Sequence, residues 1–209
     1  MTEALAFASC YVYSPAGNSA ICERSRLLRA LLKECDSRFM TKYAVRVREQ
    51  ARLPARLGGF FSAGDVLVPV PGSAPTTRGT WVAAELAQAL VQQGLGAMAW
   101  PGLHRIRAVR KSATAAHGAR PSVALHYDSF QMDQPALRPL NIVLIDDVVT
   151  KGRTLLAAAS RVRDTIPGVP VRAFALLRTM GLIAGVQQLL EPCRGEIRWT
   201  ASGDALRIP

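Results

Sequence analysis

Two adjacent carboxylates, Asp146 and Asp147, stand between the apolar run Ile142 to Ile145 and the segment Thr150-Lys151-Gly152-Arg153-Thr154. The run is β-branched and continuous, as suits a strand buried on both faces, and Leu155 to Val162 reads as a helix. The two acids therefore fall at the carboxyl end of a buried strand. Residues 150 to 154 gather backbone N–H groups, two hydroxyls and two cations just ahead of a helix N-terminus, which is how a chain cradles a phosphate. The spacing is not that of a Gly-rich P-loop, so an ATP site of the Walker type is not supported. The plain alternative is a strand-to-helix turn with a solvated acidic pair.

The elements around this segment follow from periodicity. Leu5 to Tyr13 is apolar and aromatic enough for a strand, and residues 15 to 18 supply turn chemistry. Leu27, Leu28, Leu31 and Leu32 recur at helical spacing. A second helix begins after Asp36-Ser37 and carries Met40, Tyr43, Val47 and Ala51, with Pro54 and Gly58-Gly59 beyond it. Val66 to Val70 is a short strand entering the Pro- and Gly-rich loop Pro71-Gly72-Ser73, and a helix is expected from about Trp81 to Gln92. Ala97 to Trp100, Val123 to Tyr127 and Val171 to Leu177 read as strands, Gly181 to Leu190 as a helix and Glu196 to Trp199 as a short edge strand. Strands alternating with helices predict an α/β class with a mostly parallel sheet.

With 209 residues the chain suits one substantial α/β domain. No run approaches the roughly 20 uninterrupted apolar residues of a membrane span, and the N-terminus lacks a leader pattern, so a cytoplasmic location is the default expectation. Cys10, Cys22, Cys35 and Cys193 are scattered, with no Cys-x-x-Cys pair, which favours small buried hydrophobes over a zinc ribbon or a disulfide framework. The net charge of +11 has a location: no acid occurs between Glu85 and Asp128, while Arg105, Arg107, Arg110, Lys111 and Arg120 fall there. Such a field draws polyphosphates or nucleic acid, although a basic face kept for solubility has the same composition. No aromatic platform for stacking single-stranded bases is interleaved with these cations.

The order hydrophobic strand, Asp146-Asp147, apolar pair, Thr150-x-Gly152-x-Thr154 resembles the ribose-phosphate signature of type I phosphoribosyltransferases. Val68-Pro69-Val70-Pro71, then Arg78-Gly79 opening a helix, narrows the likeness to the ComF family of competence-associated phosphoribosyltransferase-like proteins, as does the upstream helix with Leu32-Lys33. The likeness spans about residues 5 to 180.

It implies a central, mostly parallel sheet flanked by helices in a single domain. Residues 1 to 60 would be a small strand-helix extension, 61 to 180 the core and 181 to 209 a C-terminal segment. It implies that Asp146 and Asp147 contact ribose hydroxyls and, through water, Mg²⁺. Thr150, Lys151, Gly152, Arg153 and Thr154 would wrap the 5′-phosphate of phosphoribosyl pyrophosphate. Val70, Pro71, Gly72 and Ser73 would hold the pyrophosphate, with Arg107, Arg110 and Lys111 in the loop that closes over substrate. His117 in that loop reads either as a proton carrier or as an incidental exposed histidine.

The chain departs from the family in three ways. It lacks the frequent N-terminal four-cysteine zinc module, it has no match for a Gln and an Asn of the loop pattern, and Lys151 replaces a small hydroxyl residue. The implied activity is transfer of a phosphoribosyl group to an acceptor that nothing after Arg178 identifies. The alternative is a phosphoribosyl-pyrophosphate-binding or nucleic-acid-handling protein without turnover, with DNA uptake as context. The sequence leaves monomer and homodimer open.

Overall fold

A computed structural model of the chain describes residues 4–75, 81–110, 121–181 and 186–209. The chain is mixed α/β, with a seven-stranded, mostly parallel sheet and five helices among the described residues. The sheet comprises β1 (Ala4–Tyr13), β2 (Val66–Pro69), β3 (Met98–Ala99), β6 (Ile142–Val149), β7 (Val171–Thr179), β8 (Leu190–Trp199) and β9 (Ala205–Ile208), in the order β3-β2-β6-β7-β1-β8-β9. The first five in that order run parallel, and the β8–β9 hairpin adds to β1 antiparallel. β4 (Leu103–Arg105) and β5 (Phe130–Met132) form a separate antiparallel pair.

Strand alternation divides the core into two layers. Val143 and Ile145 of β6 join Leu67 and Phe174 beneath α1 (Ala20–Lys33), α2 (Ser37–Ala51) and α3 (Val82–Gln92). Ile142 and Leu144 face the other way, with Leu5, Phe7, Ala173 and Ala175, against the apolar side of α5 (Arg153–Thr165) and Val123 of α4 (Val123–Asp128). Asp36 caps α2, accepting from the N–H of Arg38 at 2.8 Å, which fixes where that helix starts. Cys10 and Cys22 are buried and Cys35 and Cys193 half-buried, all four as free thiols. Burial pushes the Cys10 thiol up to about 12, consistent with a packing role.

Four expectations are corrected. Val123 to Tyr127 is helical, because the Ser122 hydroxyl caps the turn by accepting from the N–H of Leu125, and the strand falls instead at Phe130–Met132. Of the helix expected over Gly181 to Leu190, residues 182–185 lie outside the described residues, Val186 to Leu189 are not helical, and Leu189 instead offers its carbonyl to the N–H of Val12. The expected edge strand at 196 to 199 belongs to a ten-residue interior strand lying between β1 and β9. β1 is no appendage either, since it pairs with β7 on one side and β8 on the other. No described helix is long and apolar enough to cross a membrane.

Candidate phosphate-binding site

The chain leaves β2 for β3 on one side and leaves β6 for β7 on the other, so the crossovers diverge between adjacent β2 and β6. Crevices at the carboxyl ends of strands flanking such a switch point are where open α/β sheets bind ligands. Residues 70–73 follow β2 and residues 150–154 follow β6, which puts both predicted anion loops at this place. Val70 N–H donates to Ile145 O at 2.8 Å, so the first loop starts one residue from Asp146.

β6 does not stop before the acids: Asp146 pairs with Ala175, and the strand continues to Val149. A recess of about 70 Å³ then opens, lined by Asp146 and residues 148–155. Gly152 stands at the N-cap of α5 with φ 85°, and a Cβ added there would come within 2.6 Å of the Ile197 side chain on β8. Only glycine turns the chain here without strain. The first-turn N–H groups of α5 have no intrahelical partners and are directed toward the recess end of the helix.

The loop after β2 is oriented by what its carbonyls bind. Val70 O accepts from Trp81 Nε1 at 3.1 Å, Gly72 O accepts from Arg105 Nε, and Ser73 O accepts from Val109 N–H at 2.7 Å. Within a peptide plane the C=O and the following N–H are antiparallel. Pinning the carbonyls of Gly72 and Ser73 therefore turns the N–H groups of Ser73 and Ala74 the opposite way, as a pair of donors. A Cβ built on Gly72 meets nothing within 4 Å.

Arg105 is 4 % exposed and also donates to Ser129 Oγ, with its guanidinium carbon 4.2 Å from the centre of the Phe130 ring. No described carboxylate lies within ion-pair distance of it. Burial lowers it to about 10, opposed by the charge of Asp146. Buried against Phe130 and bonded to Gly72 O and Ser129 Oγ, Arg105 ties the loop after β2 to the β4–β5 pair.

Desolvation, reinforced by Asp147, raises the Asp146 carboxyl well above the usual range, although Asp147 N–H donates to its Oδ1 at 2.8 Å. Asp147 is half-buried and near enough to the turn between α1 and α2 to help raise the Cys35 thiol, after desolvation and Glu85. A bound cation or sugar hydroxyls would favour the ionised form of Asp146. One or two carboxylates suit Mg²⁺ held chiefly by water and substrate oxygens. No cluster of three or more metal-ligating His, Cys, Asp or Glu exists among the described residues.

The two cations of the segment turn to the last hairpin. Asp204 accepts from Arg153 Nη2 at 2.7 Å and from its Nε, Lys151 Nζ lies 3.3 Å from the same carboxylate, and Arg153 Nη1 donates to Pro121 O at 3.2 Å. Arg207 donates to Val149 O at 3.4 Å. Behind the recess, His126 Nε2 lies 3.4 Å from Thr154 Oγ1.

The structure thus gathers Asp146, Thr150, Lys151, Gly152, Arg153 and Thr154 at one recess, with Val70, Pro71, Gly72 and Ser73 beside it. Arg107 donates to Asp128 O at 2.8 Å, Arg110 is exposed, and Lys111, with His117, Arg120 and Arg78-Gly79, lies outside the described residues. The sequence places Arg105 in the basic field expected to neutralise the leaving group, but it marks no site role for His126, Ile197 or Asp204. Leu103-His104-Arg105 does alternate buried, exposed, buried, but only tertiary pairing shows the arginine facing inward. Neither a family model nor a curated protein sequence matches the chain.

Proposed function

We propose that the chain is a ComF-like member of the type I phosphoribosyltransferases that binds phosphoribosyl pyrophosphate and transfers its phosphoribosyl group to an acceptor. The observation that carries this reading is the meeting, at one sheet switch point, of the recess around Asp146 and residues 148–155 with the N–H donors of the loop after β2. Thr150, Thr154 and the start of α5 take the 5′-phosphate, Asp146 and Asp147 take the ribose hydroxyls, and the loop after Val70 takes the diphosphate. Attack on C1′ expels pyrophosphate and leaves the sugar carbon oxocarbenium-like, so the reaction needs charge neutralised on the leaving group more than it needs a strong base. In this reading the Ser73 and Ala74 N–H groups meet the diphosphate, while Arg105, bonded to Gly72 O on the other side of the peptide plane, holds the loop that presents them. Mg²⁺ bound with the substrate would supply further charge to the diphosphate, and the two carboxylates would hold its waters.

Supporting the alternative of binding without turnover are the acid-free interval from 86 to 127 and the net charge of +11, which also fit a nucleic-acid partner. Incubation with phosphoribosyl pyrophosphate, Mg²⁺ and a panel of acceptors, read as pyrophosphate release, tests the proposal. Release that depends on acceptor and on Asp146 supports transfer. Tight binding with no release leaves a sensor, and no binding ends the phosphoribosyl reading.

A further inference from the structure

Resting on the reading of the recess as a 5′-phosphate site, we propose that His126 is a positioning residue: its neutral ring donates from Nε2 to Thr154 Oγ1, leaving the threonine hydroxyl proton to point at the phosphate. His126 lies on α4 and is 4 % exposed. Its place is fixed by its own N–H, which donates to Ser122 O at 3.2 Å, and by its carbonyl, which accepts from Ser129 Oγ at 2.6 Å. Nε2 faces Thr154 Oγ1 at 3.4 Å, and Thr154 lines the recess. Nδ1 is buried and has no hydrogen-bond partner.

Two cations flank the ring, Arg105, whose guanidinium also holds Ser129, and Arg153 of α5. Together with burial, the larger effect, they bring His126 down to about 4, so near neutrality it carries one ring proton. That proton has two places. On Nδ1 it would be a buried N–H with no acceptor, a rarer and costlier orphan than a bare acceptor. Nε2 would then accept from Thr154 and draw the hydroxyl proton away from the recess. On Nε2 it satisfies one lone pair of Thr154 Oγ1. A hydroxyl has one donor and two acceptor sites, so the threonine proton stays available to a phosphate oxygen.

The orientation thus makes Thr154 a donor, which is what an anion requires, and it does so without placing a third positive charge beside Arg105 and Arg153. The signal in the sequence was faint, since His126 falls in a stretch that reads as a strand, where it would have no fixed relation to the phosphate segment.

Two measurements decide this. Long-range ¹⁵N–¹H correlation on the ligand-free full chain reports the tautomer directly: Nε2 protonated is expected, and a protonated Nδ1 overturns the role of His126 whether or not any ligand binds. Calorimetric titration with ribose 5-phosphate reports the consequence. His126→Phe should weaken binding about five- to tenfold, the size of one hydrogen bond. His126→Gln, which keeps an N–H donor near the Nε2 position, should recover most of the loss, and His126→Phe should add nothing in a Thr154→Val background. Unchanged affinity in a folded His126→Phe protein, or additive losses in the double variant, overturns the inference while the phosphate site stands. If the wild type itself fails to bind ribose 5-phosphate, the proposed function falls and this inference with it.

Discussion

Asp204, in the turn between β8 and β9, grips Arg153 in the first turn of α5 with both carboxylate oxygens, at 2.7 Å from Nη2 and through a second bond from Nε. Lys151 Nζ completes the cluster at 3.3 Å, so the lysine that stands where a small hydroxyl residue was expected has a carboxylate partner on a distant strand pair. The two cations of the predicted phosphate segment thereby hold the last hairpin, while its residues line the recess.

The pair has a pH signature. Arg153, chiefly through its hydrogen bond, holds the Asp204 carboxyl well below the ordinary range. A depressed carboxyl contributes stability that is complete above its unfolded value, near about 3.9, and is lost as pH falls toward the folded value. Asp204→Asn should therefore cost about 1–2 kcal/mol at pH 7, the order of a charge-assisted pair that is partly screened. The deficit should shrink as pH falls below the unfolded value. Denaturant titrations of both proteins at neutral and acid pH check it, and a deficit independent of pH would refute the ion-pair account.

Gly152 and Lys151 should differ sharply. Gly152→Val forces a left-handed φ on a branched residue, about 1–2 kcal/mol or more, and drives its Cβ into Ile197. Lys151→Thr, which removes a half-exposed partner of Asp204, should cost no more than about 1 kcal/mol. Thermal denaturation ranks the two, and titration with phosphoribosyl pyrophosphate should follow the same rank. A stable Gly152→Val protein would mean that the hairpin does not press on this loop.

Gly72 offers a cleaner probe, because a Cβ there meets nothing in the free protein. Gly72→Ala should leave the melting temperature within experimental error, yet weaken pyrophosphate binding at least about tenfold if the anion comes against the backbone at van der Waals distance. Calorimetric titration with pyrophosphate and Mg²⁺ measures it. Equal affinity in the variant would move the diphosphate away from this loop.

Asp146→Asn should separate stability from binding. Burial first, and Asp147 second, raise this carboxyl, so ionising it opposes folding. For an acid raised in the folded state, stability falls as pH climbs from the unfolded value to the folded one. Asparagine carries no charge to desolvate, so Asp146→Asn should be more stable than the wild type at neutral pH and should lose phosphoribosyl pyrophosphate binding. Denaturation at pH 5 and pH 8 together with a binding titration tests both halves. A destabilised variant would show that the carboxylate is compensated in the free protein.

Much of this arrangement is legible in the sequence, and what is not is long-range. The run Ile142 to Ile145 reads as a strand because every residue in it is buried on one face or the other. The α2 stripe is buried at Met40 and Val47 as periodicity places it, whereas in α1 Leu28 and Leu32 are buried and Leu27 of the expected stripe is exposed. Val123 to Tyr127 misleads because five residues are too few to separate alternation from helical spacing, and the deciding contact is the Ser122 cap. Arg105, His126 and Asp204 carry no local mark of their position. Each faces the site only because an element distant in the chain packs there, as when Asp204 meets Arg153 across the β8–β9 hairpin.

The placement of β1 bears on how the molecule comes into being. Phe7 pairs with Ala173 on one side, and Ala4 with Arg198 on the other. Of the strands described, β1 leaves the ribosome first and receives both neighbours last. Its apolar residues must wait through synthesis of β2 to β6 before either edge is covered, a topology of high contact order that folds slowly and exposes an unpaired strand meanwhile. The same hairpin that closes β1 also delivers Asp204 and Ile197 to residues 151–153. Completion of the recess therefore waits for the synthesis of β8 and β9, and a nascent chain stopped short of β8 would carry both acids without the hairpin that packs on residues 151–153.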